Sequence, residues 1–388
     1  MVKLVGPGGN VTLLKSPMIV YLLREGASRI STKGSFWIPA VLATCSFAVS
    51  PASIAAETGL AFVSEAAPFQ AAGGEIYTFY AGRDYRPLWF NDQSELTPAA
   101  KLLISLLESS DIDAVSSDAL NVPSLISAVD QALASKRSVE RTRAELLLSR
   151  TFVAYVQALR GSSGGSMIYE HDRLRPKPVS AFYLLNDFAR AASQQDYVAE
   201  MKWMHPLYAP IRRSFIAQGS LDLRTRKAVV ANLARLRAIP GKQRHVLVDV
   251  ASARLWMYED DRVVDTMRVV VGKPSTPTPL MAGYIRYAIH NPYWNVPPEM
   301  VSKNIASNVL SRGTTYLKAA GYQILSDWSD NPSLLDPKSI DWIAASRGKL
   351  DLRVRQLPGA ANSMGEVKFE FPNPQGIYLH DTPEQQYF

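Results

Sequence analysis

The feature that most constrains the fold of this sequence is a change of hydrophobic pattern near residue 240. Between residues 139 and 160, apolar residues recur at i, i+4, i+7, i+8 and i+11, which places them on one face of a helix. From residue 246 onwards, short β-branched and aromatic runs alternate with turn residues, as in a largely antiparallel sheet. The sequence therefore predicts an α+β fold, with an N-terminal helical scaffold (57–239) followed by a mainly antiparallel β domain (240–388).

Helix signals accumulate ahead of residue 240. Thr97 and Pro98 form an N-cap with proline at the first helical position, ahead of a helix that reaches residue 108. Further helical patterns cover residues 179–192, 205–216 and 223–237, and the glycine-serine run 161–166 ends the long helix. This half is predicted to be a helical module.

Strand signals follow residue 240 and are interrupted once. They cover residues 254–258, 262–271 and 284–289, and they resume at 367–371 and 377–379. Between about 297 and 351 the alternation is lost and the sequence is typical of short helices and loops. We therefore expect a lid-like insertion within the β domain.

The first 56 residues have the layout of an export signal. Arg24, Arg29 and Lys33 precede an almost wholly apolar run at 36–49, and small residues at 53–56 offer a cleavage site. The run is shorter than the ~20 residues of a membrane-spanning helix, although an uncleaved anchor stays as an alternative. We expect a periplasmic or otherwise extracytoplasmic protein, whose contact with the membrane is through this signal alone. We also expect nothing in residues 1–56 to enter the fold.

Charge and cysteine usage exclude several function classes. The first 56 residues contribute +4 to the formal charge of +7, and no run of basic residues interleaved with aromatics follows them, so nucleic-acid binding has no support. The single cysteine, Cys45, excludes a disulfide framework and a cysteine-based zinc site. No metal or nucleotide motif is present, and we expect no cofactor.

His380 is the histidine with the strongest catalytic signal. It follows a predicted strand and is followed by Asp381 and Thr382, a setting that suits a general base held in one tautomer. By itself this position fits a structural histidine equally well. The other four histidines lack a partner pattern and are interpreted as structural or exposed: His171, His205, His245 and His290.

Several segments carry a resemblance over a long span. They are FYAGRDYRPLW at 79–89, NPYWNVPP at 291–298, SIDW at 339–342, RQLPG at 355–359, NSMGEVKF at 362–369, FPN at 371–373 and YLHDTP at 378–383. In this order and spacing, residues 76–388 resemble the bacterial L,D-transpeptidases, in particular the branch with a helical scaffold and a capping insertion. The β domain then corresponds to the catalytic domain of that family.

The resemblance implies a reaction on peptidoglycan during cell-wall cross-linking. The family cleaves the bond after the third residue of a tetrapeptide stem, holds the acyl group as a cysteine thioester and passes it to a side-chain amine of a neighbouring stem. No cofactor or metal is implied, and the partners are peptidoglycan stem peptides. His380 corresponds to the general base and the backbone at Asp381 to the group that orients it. Candidates for the donor groove are Trp294, Asn295, Arg355 and Asn362, for which core packing and turn formation are the alternatives.

The family's nucleophile lies in a Ser/Thr-x-Gly-Cys segment shortly after the motif that contains His380. The present sequence reaches Phe388 without that segment, and Cys45 belongs to the predicted signal. Two interpretations compete: a truncated form of an enzyme, or an inactive relative that binds peptidoglycan. The unmodified motifs ahead of the break favour truncation, and the sequence as given is then expected to be inactive.

Overall fold

The computed structural model describes residues 10–23, 74–135, 137–161, 167–219, 222–239 and 243–388. The predicted signal segment at 36–49, Cys45 and the glycine-serine residues 162–166 lie outside these ranges.

The scaffold consists of helices around one apolar core. The helices are α1 Gly74–Ala81, α2 Pro98–Glu108, α3 Val122–Ser135, α4 Ser138–Gly161, α5 Ala181–Ala189, α6 Gln194–Ala199, α7 Tyr208–Ala217 and α8 Leu223–Leu236. The predicted apolar face of α4 is fully buried, and its Phe152 packs edge-on against Trp89, with ring centroids 5.6 Å apart. Phe188 of α5 stacks on the same indole at 4.6 Å. The scaffold core is thus an aromatic cluster that ties α4 and α5 to the segment before α2.

The β domain is built on one mixed sheet. Its strands are β1 Asn10–Leu23, β2 Ile168–Tyr169, β3 His245–Asp249, β4 Arg254–Glu259, β5 Arg262–Arg268, β6 Met281–His290, β10 Val367–Glu370 and β11 Leu379–His380. They are arranged in the order β11-β10-β6-β1-β3-β4-β5, with β2 paired to β6. Neighbouring strands are antiparallel except β1 with β3 and β2 with β6. The predicted α+β class, with a mainly antiparallel sheet after a helical scaffold, is confirmed.

The structure differs from the expectation that residues 1–56 stay outside the fold. Strand β1 runs through the middle of the sheet, with Ile19 opposite His245 of β3 and opposite Tyr284 of β6. The segment includes the consecutive strand-favouring residues Ile19, Val20 and Tyr21, and its backbone pairs with the facing edges of β3 and β6. This strand was not predicted, because the whole region has the layout of a leader.

The segment between residues 294 and 356 forms a small unit of its own. It contains α9 Pro298–Met300, a π-helical stretch Val301–Ala306, α10 Ser307–Arg312, α11 Thr315–Ala319 and α12 Trp342–Ser346. A three-stranded antiparallel sheet, in the order β7-β9-β8, completes it with β7 Trp294–Asn295, β8 Tyr322–Leu325 and β9 Arg353–Gln356. Its buried residues form a separate apolar cluster around Ile305, Val354 and Trp342. The expected short helices are present, whereas the strand β8 was not predicted.

Within the described segments, no helix combines the length and the apolar composition that crossing a bilayer requires.

Candidate functional site

His380 ends strand β11 and lies directly opposite Lys368 of β10. Its side chain is exposed, and its Nδ1 atom lies 2.6 Å from the carbonyl oxygen of Asp381. Because a carbonyl oxygen only accepts hydrogen bonds, Nδ1 must carry the proton and donate it. The lone pair of Nε2 is then available to a proton donor outside the ring, which is the tautomer a general base needs.

Asp381 is hydrogen-bonded to the backbone of Glu366 and Val367. Its backbone N–H donates to the carbonyl of Val367 at 2.9 Å, and its Oδ2 accepts from the backbone N–H of Glu366 at 3.0 Å. The carbonyl of Glu366 in turn accepts from the backbone N–H of Asn291 at 2.8 Å. The orientation of the imidazole therefore depends on the 365–367 turn and on the end of β6.

Gly365 permits this close packing. Its φ of +61° lies in the left-handed region, and a β-carbon at this position would meet the carbonyl carbon of Asp381 at 2.7 Å. Glycine thus satisfies both a conformational and a steric requirement here. Gly365 belongs to the NSMGEVKF motif, but its role is not visible in the sequence because the contact joins residues 16 positions apart.

A charged and aromatic cluster occupies the sheet face beside His380. The Lys368 Nζ atom lies 3.6 Å from the ring centroid of Tyr378 and 3.1 Å from Oε2 of Glu370. Burial, and secondarily the Glu370 carboxylate, raise the pKa of the Tyr378 hydroxyl. Tyr287 of β6 faces Glu370 across the ladder, and its pKa is raised by the same two causes. These side chains give the surroundings of the imidazole both a fixed cation and a fixed anion.

Asn362, one of the four groove candidates, is buried and holds a turn. Its Nδ2 atom donates to the carbonyls of Pro292 and Leu357, both at 3.0 Å, and its Oδ1 accepts from the backbone N–H of Met364 at 2.7 Å. Only 1% of the residue is exposed. These contacts agree with the turn-forming alternative.

The other three candidates lie together in the small β7-β9-β8 sheet. Asn295 is exposed and pairs with Arg355 across the ladder. The Arg355 guanidinium lies 4.6 Å from the ring centroid of Tyr293 and donates to Oε1 of Gln323 at 2.9 Å. Trp294 is half-buried against the apolar cluster of the insertion. The structure therefore brings these three residues together where the insertion leaves β6, and their role in substrate binding stays a prediction.

Two of the remaining histidines form a buried pair between the scaffold and the β domain. Nε2 of His205 lies 3.2 Å from Nε2 of His245, whose ring stacks on Tyr258 with centroids 4.8 Å apart. Nδ1 of His205 accepts from the backbone N–H of Leu207, and Nδ1 of His245 donates to the carbonyl of Gln243 at 2.7 Å. Burial lowers the pKa of His205 to about 3 and lowers that of His245. Both rings are neutral here, as suits a structural joint.

The exposed His171 accepts a backbone hydrogen bond from Arg173 at 3.0 Å, and His290 pairs with Val367 across β6 and β10. Among the residues that the structure describes, no group of three or more histidine, cysteine or acidic side chains is arranged to hold a metal ion.

Comparison with known proteins gives matches in both halves of the chain. Residues 243–388 match the family model described as the L,D-transpeptidase catalytic domain, and residues 74–214 match the one described as the scaffold domain. A curated protein of Haemophilus influenzae, named "Putative L,D-transpeptidase", is 26% identical over 317 residues. This alignment covers 80% of the present chain and 61% of that protein, so the chain spans about three-fifths of the relative's length.

Proposed function

Residues 243–388 belong to the L,D-transpeptidase catalytic-domain family, and from this premise we propose that the full-length protein is a peptidoglycan L,D-transpeptidase. The scaffold match ahead of the catalytic domain and the curated relative support the same proposal. Its substrates are tetrapeptide stems of peptidoglycan, and it requires no cofactor.

The proposed reaction transfers an acyl group in two steps. A cysteine thiolate attacks the carbonyl carbon of the third stem residue, the carbon–nitrogen bond to the fourth residue breaks, and a thioester forms. An amine of a neighbouring stem then attacks the thioester, the carbon–sulfur bond breaks, and the thiolate is restored. The energy of the original peptide bond is retained in the thioester, so no external energy source is required.

The observation that carries this proposal is the 2.6 Å contact between Nδ1 of His380 and the carbonyl oxygen of Asp381, from which the tautomer follows. With Nδ1–H donated to the Asp381 carbonyl at 2.6 Å, Nε2 accepts the proton of the thiol and later delivers it to the departing amine. The exposure of the ring leaves Nε2 accessible to both partners.

The nucleophile is the part of the proposal that the described residues do not supply. The sequence has one cysteine, Cys45, which lies outside the described ranges and within the predicted signal. We assign the thiol to a Ser/Thr-x-Gly-Cys segment that follows the His380 motif in the full-length protein. Sequencing of the reading frame beyond the codon for Phe388, with the intact mass of the exported protein, tests this assignment. An in-frame stop there would refute it and favour the inactive, peptidoglycan-binding alternative.

Export is the second part of the proposal, because peptidoglycan is cross-linked outside the cytoplasmic membrane. The apolar run at 36–49 is the proposed signal, and the small residues at 53–56 are its cleavage site. N-terminal sequencing of the protein recovered from the cell envelope is expected to begin close to residue 57. A mature protein that retains residues 36–49 would refute cleavage and indicate an anchor.

Activity is best tested on the full-length protein with a soluble disaccharide-tetrapeptide. We expect wild type to produce cross-linked dimers, and His380→Gln to lose at least about 100-fold in rate because the base is removed. Lys101→Gln is the control, since Lys101 is an exposed residue of α2 outside both the His380 surroundings and the scaffold core. Dimer formation that persists in His380→Gln would refute the proposal. So would the absence of dimer formation in every preparation of the full-length protein.

A further inference from the structure

A basic cavity lies on the seam between the scaffold and the β domain. Its volume is about 230 Å³, and it opens where the ends of α4 and α8 approach strand β6. Five cationic side chains line it, with Tyr284 of β6, and no carboxylate does: Arg160, Arg173, Arg175, Lys177 and Arg237. This lining differs from that of the His380 site, where cation and anion are paired.

Three of the five cations have no carboxylate partner within the described part of the chain. Arg160 donates only to the carbonyl of Trp203, at 3.3 Å, and burial lowers the pKa of its guanidinium. Arg173 and Lys177 are exposed at the rim and form no ion pair with a described residue. Cations that share a cavity without counter-charges repel one another, so an anionic ligand relieves an existing electrostatic cost.

The remaining two cations are held in place by the protein. The Arg175 guanidinium lies 5.2 Å from the ring centroid of Tyr169, and its Nε donates to Asp172 at 3.0 Å. Arg237 is buried and donates to the hydroxyl of Tyr208 and to the carbonyl of Asp113. Arg237 thus forms a fixed wall, whereas Arg175, whose side chain is 58% exposed, belongs to the rim with Arg173 and Lys177; this arrangement suits recognition of a carboxylate or phosphate oxyanion.

The position of the cavity restricts what the ligand can be. Tyr284 lies five residues before Ile289 on β6. Ile289 pairs with Lys368 of β10, and Lys368 pairs with His380 of β11, so two strand spacings separate Ile289 from His380. With a rise of about 3.4 Å per residue and about 4.8 Å between strands, the cavity lies roughly 20 Å from the imidazole. A fully extended four-residue stem spans at most about 14 Å, so a stem that reacts at His380 cannot fill this cavity as well.

We propose that this cavity binds the free carboxylates of a second peptidoglycan stem peptide, separate from the stem that reacts at His380. The inference rests on the proposed function for the identity of the polymer, and on the cavity for the oxyanion that is recognised. The scaffold then contributes to binding of the polymeric substrate, because one polymer contacts the protein both at the cavity and at the His380 site.

The test is a sedimentation assay of the full-length protein with insoluble peptidoglycan from which phosphate-containing polymers have been removed. The test variant is Arg173→Ala/Lys177→Ala, because neither side chain has a described structural partner. The matched control is Lys101→Ala/Arg143→Ala, which removes two exposed charges from α2 and α4 of the same scaffold. Circular dichroism checks that both variants are folded.

We expect the test variant to bind about tenfold more weakly than wild type, and the control variant to stay within about twofold. Binding of wild type is expected to fall when the peptidoglycan carboxylates are amidated and when salt is raised. Equal loss in both variants would overturn the assignment, since it would indicate surface charge in general. Full binding to amidated peptidoglycan would overturn it as well, and release by inorganic phosphate at matched ionic strength would then identify a phosphate site.

The two proposals fail separately. Wild type that binds through the cavity and forms no cross-link would refute the transpeptidase activity and leave the cavity assignment intact. Cross-linking by wild type with no difference between the two double variants would refute the cavity assignment alone.

Discussion

Replacing Glu145 with leucine is expected to destabilise the scaffold severely. Glu145 lies on α4, is 3% exposed, and accepts hydrogen bonds from three groups around the scaffold core. Its Oε1 accepts from the Tyr80 hydroxyl at 2.6 Å and from the Leu88 backbone N–H at 2.5 Å, while Oε2 accepts from the Trp89 backbone N–H at 3.1 Å. One carboxylate therefore fixes the segment that enters α2.

The cost follows from the donors that leucine leaves without an acceptor. The Tyr80 hydroxyl retains Ser149 Oγ at 2.7 Å, whereas the Leu88 and Trp89 N–H groups have no other acceptor among the described hydrogen bonds. Each orphaned buried donor costs about 1–3 kcal/mol, so the pair amounts to about 4 kcal/mol. Folded domains have only about 5–15 kcal/mol of stability, so this is a large fraction.

Urea unfolding followed by tryptophan fluorescence measures the effect, because Trp89 is in the affected cluster. Glu108→Leu on α2 is the control, since Glu108 is exposed and its change is expected to stay within about 0.5 kcal/mol. A loss below about 1 kcal/mol for Glu145→Leu would refute the reasoning, because it would mean that the two N–H groups find other acceptors.

Glu145→Gln separates charge from hydrogen bonding. Burial raises the pKa of Glu145 from 4.5 to about 6, against the opposing effect of its hydrogen bonds. The folded state then binds more protons than the unfolded state between these values, so this group's stabilisation is complete below pH 4.5 and is lost as pH rises through 6. As pH rises from below 4.5 to above 6, we expect the free energy of unfolding of wild type to fall by about 2 kcal/mol relative to that of Glu145→Gln. A constant difference between the two proteins would contradict a raised pKa.

Three further changes test other parts of the structure. Gly365→Ala is expected to lower the cross-linking rate of the full-length protein at least about tenfold, because the new β-carbon displaces Asp381 and with it the imidazole of His380; an unchanged rate would contradict the packing. His205→Phe is expected to make the free energy of unfolding less dependent on pH below about 6.5. Wild type, whose buried His205 has a pKa of about 3, loses stability as pH falls from about 6.5, and parallel urea profiles at pH 7 and 5 would refute this. Asn362→Ala is expected to cost about 2–4 kcal/mol in thermal or urea unfolding, because buried backbone groups lose their partner, and an effect on substrate affinity alone would instead favour a groove role.

The sequence predicted those features whose partners are close along the chain. The N-cap before α2 is one, since Thr97 Oγ1 accepts from the Ala100 N–H at 3.2 Å. The apolar face of α4 is another, because Phe152 and Tyr155 are fully buried. Both signals depend on spacings of three or four residues, which a single sequence displays.

The features that the sequence did not disclose depend on distant partners. The donors to Glu145 are 56 to 65 residues away along the chain. The local sequence of α4 therefore shows that position 145 is polar, but not that the carboxylate is a buried hydrogen-bond acceptor. The same holds for the short strand β8, whose pairing with β9 joins residues about 30 apart. At the candidate site, the resemblance indicated His380, but the role of Gly365 became visible only with Asp381 packed against it.

Strand β1 has a consequence for maturation. Residues 10–23 precede the proposed cleavage site, yet their backbone pairs with both β3 and β6 in the middle of the sheet. The proposed cleavage near residue 56 would therefore remove an interior strand rather than a loose tail, and it would leave the facing backbone donors and acceptors of β3 and β6 unpaired. For the sheet to stay continuous after that cleavage, another strand would have to pair parallel to β3 and antiparallel to β6.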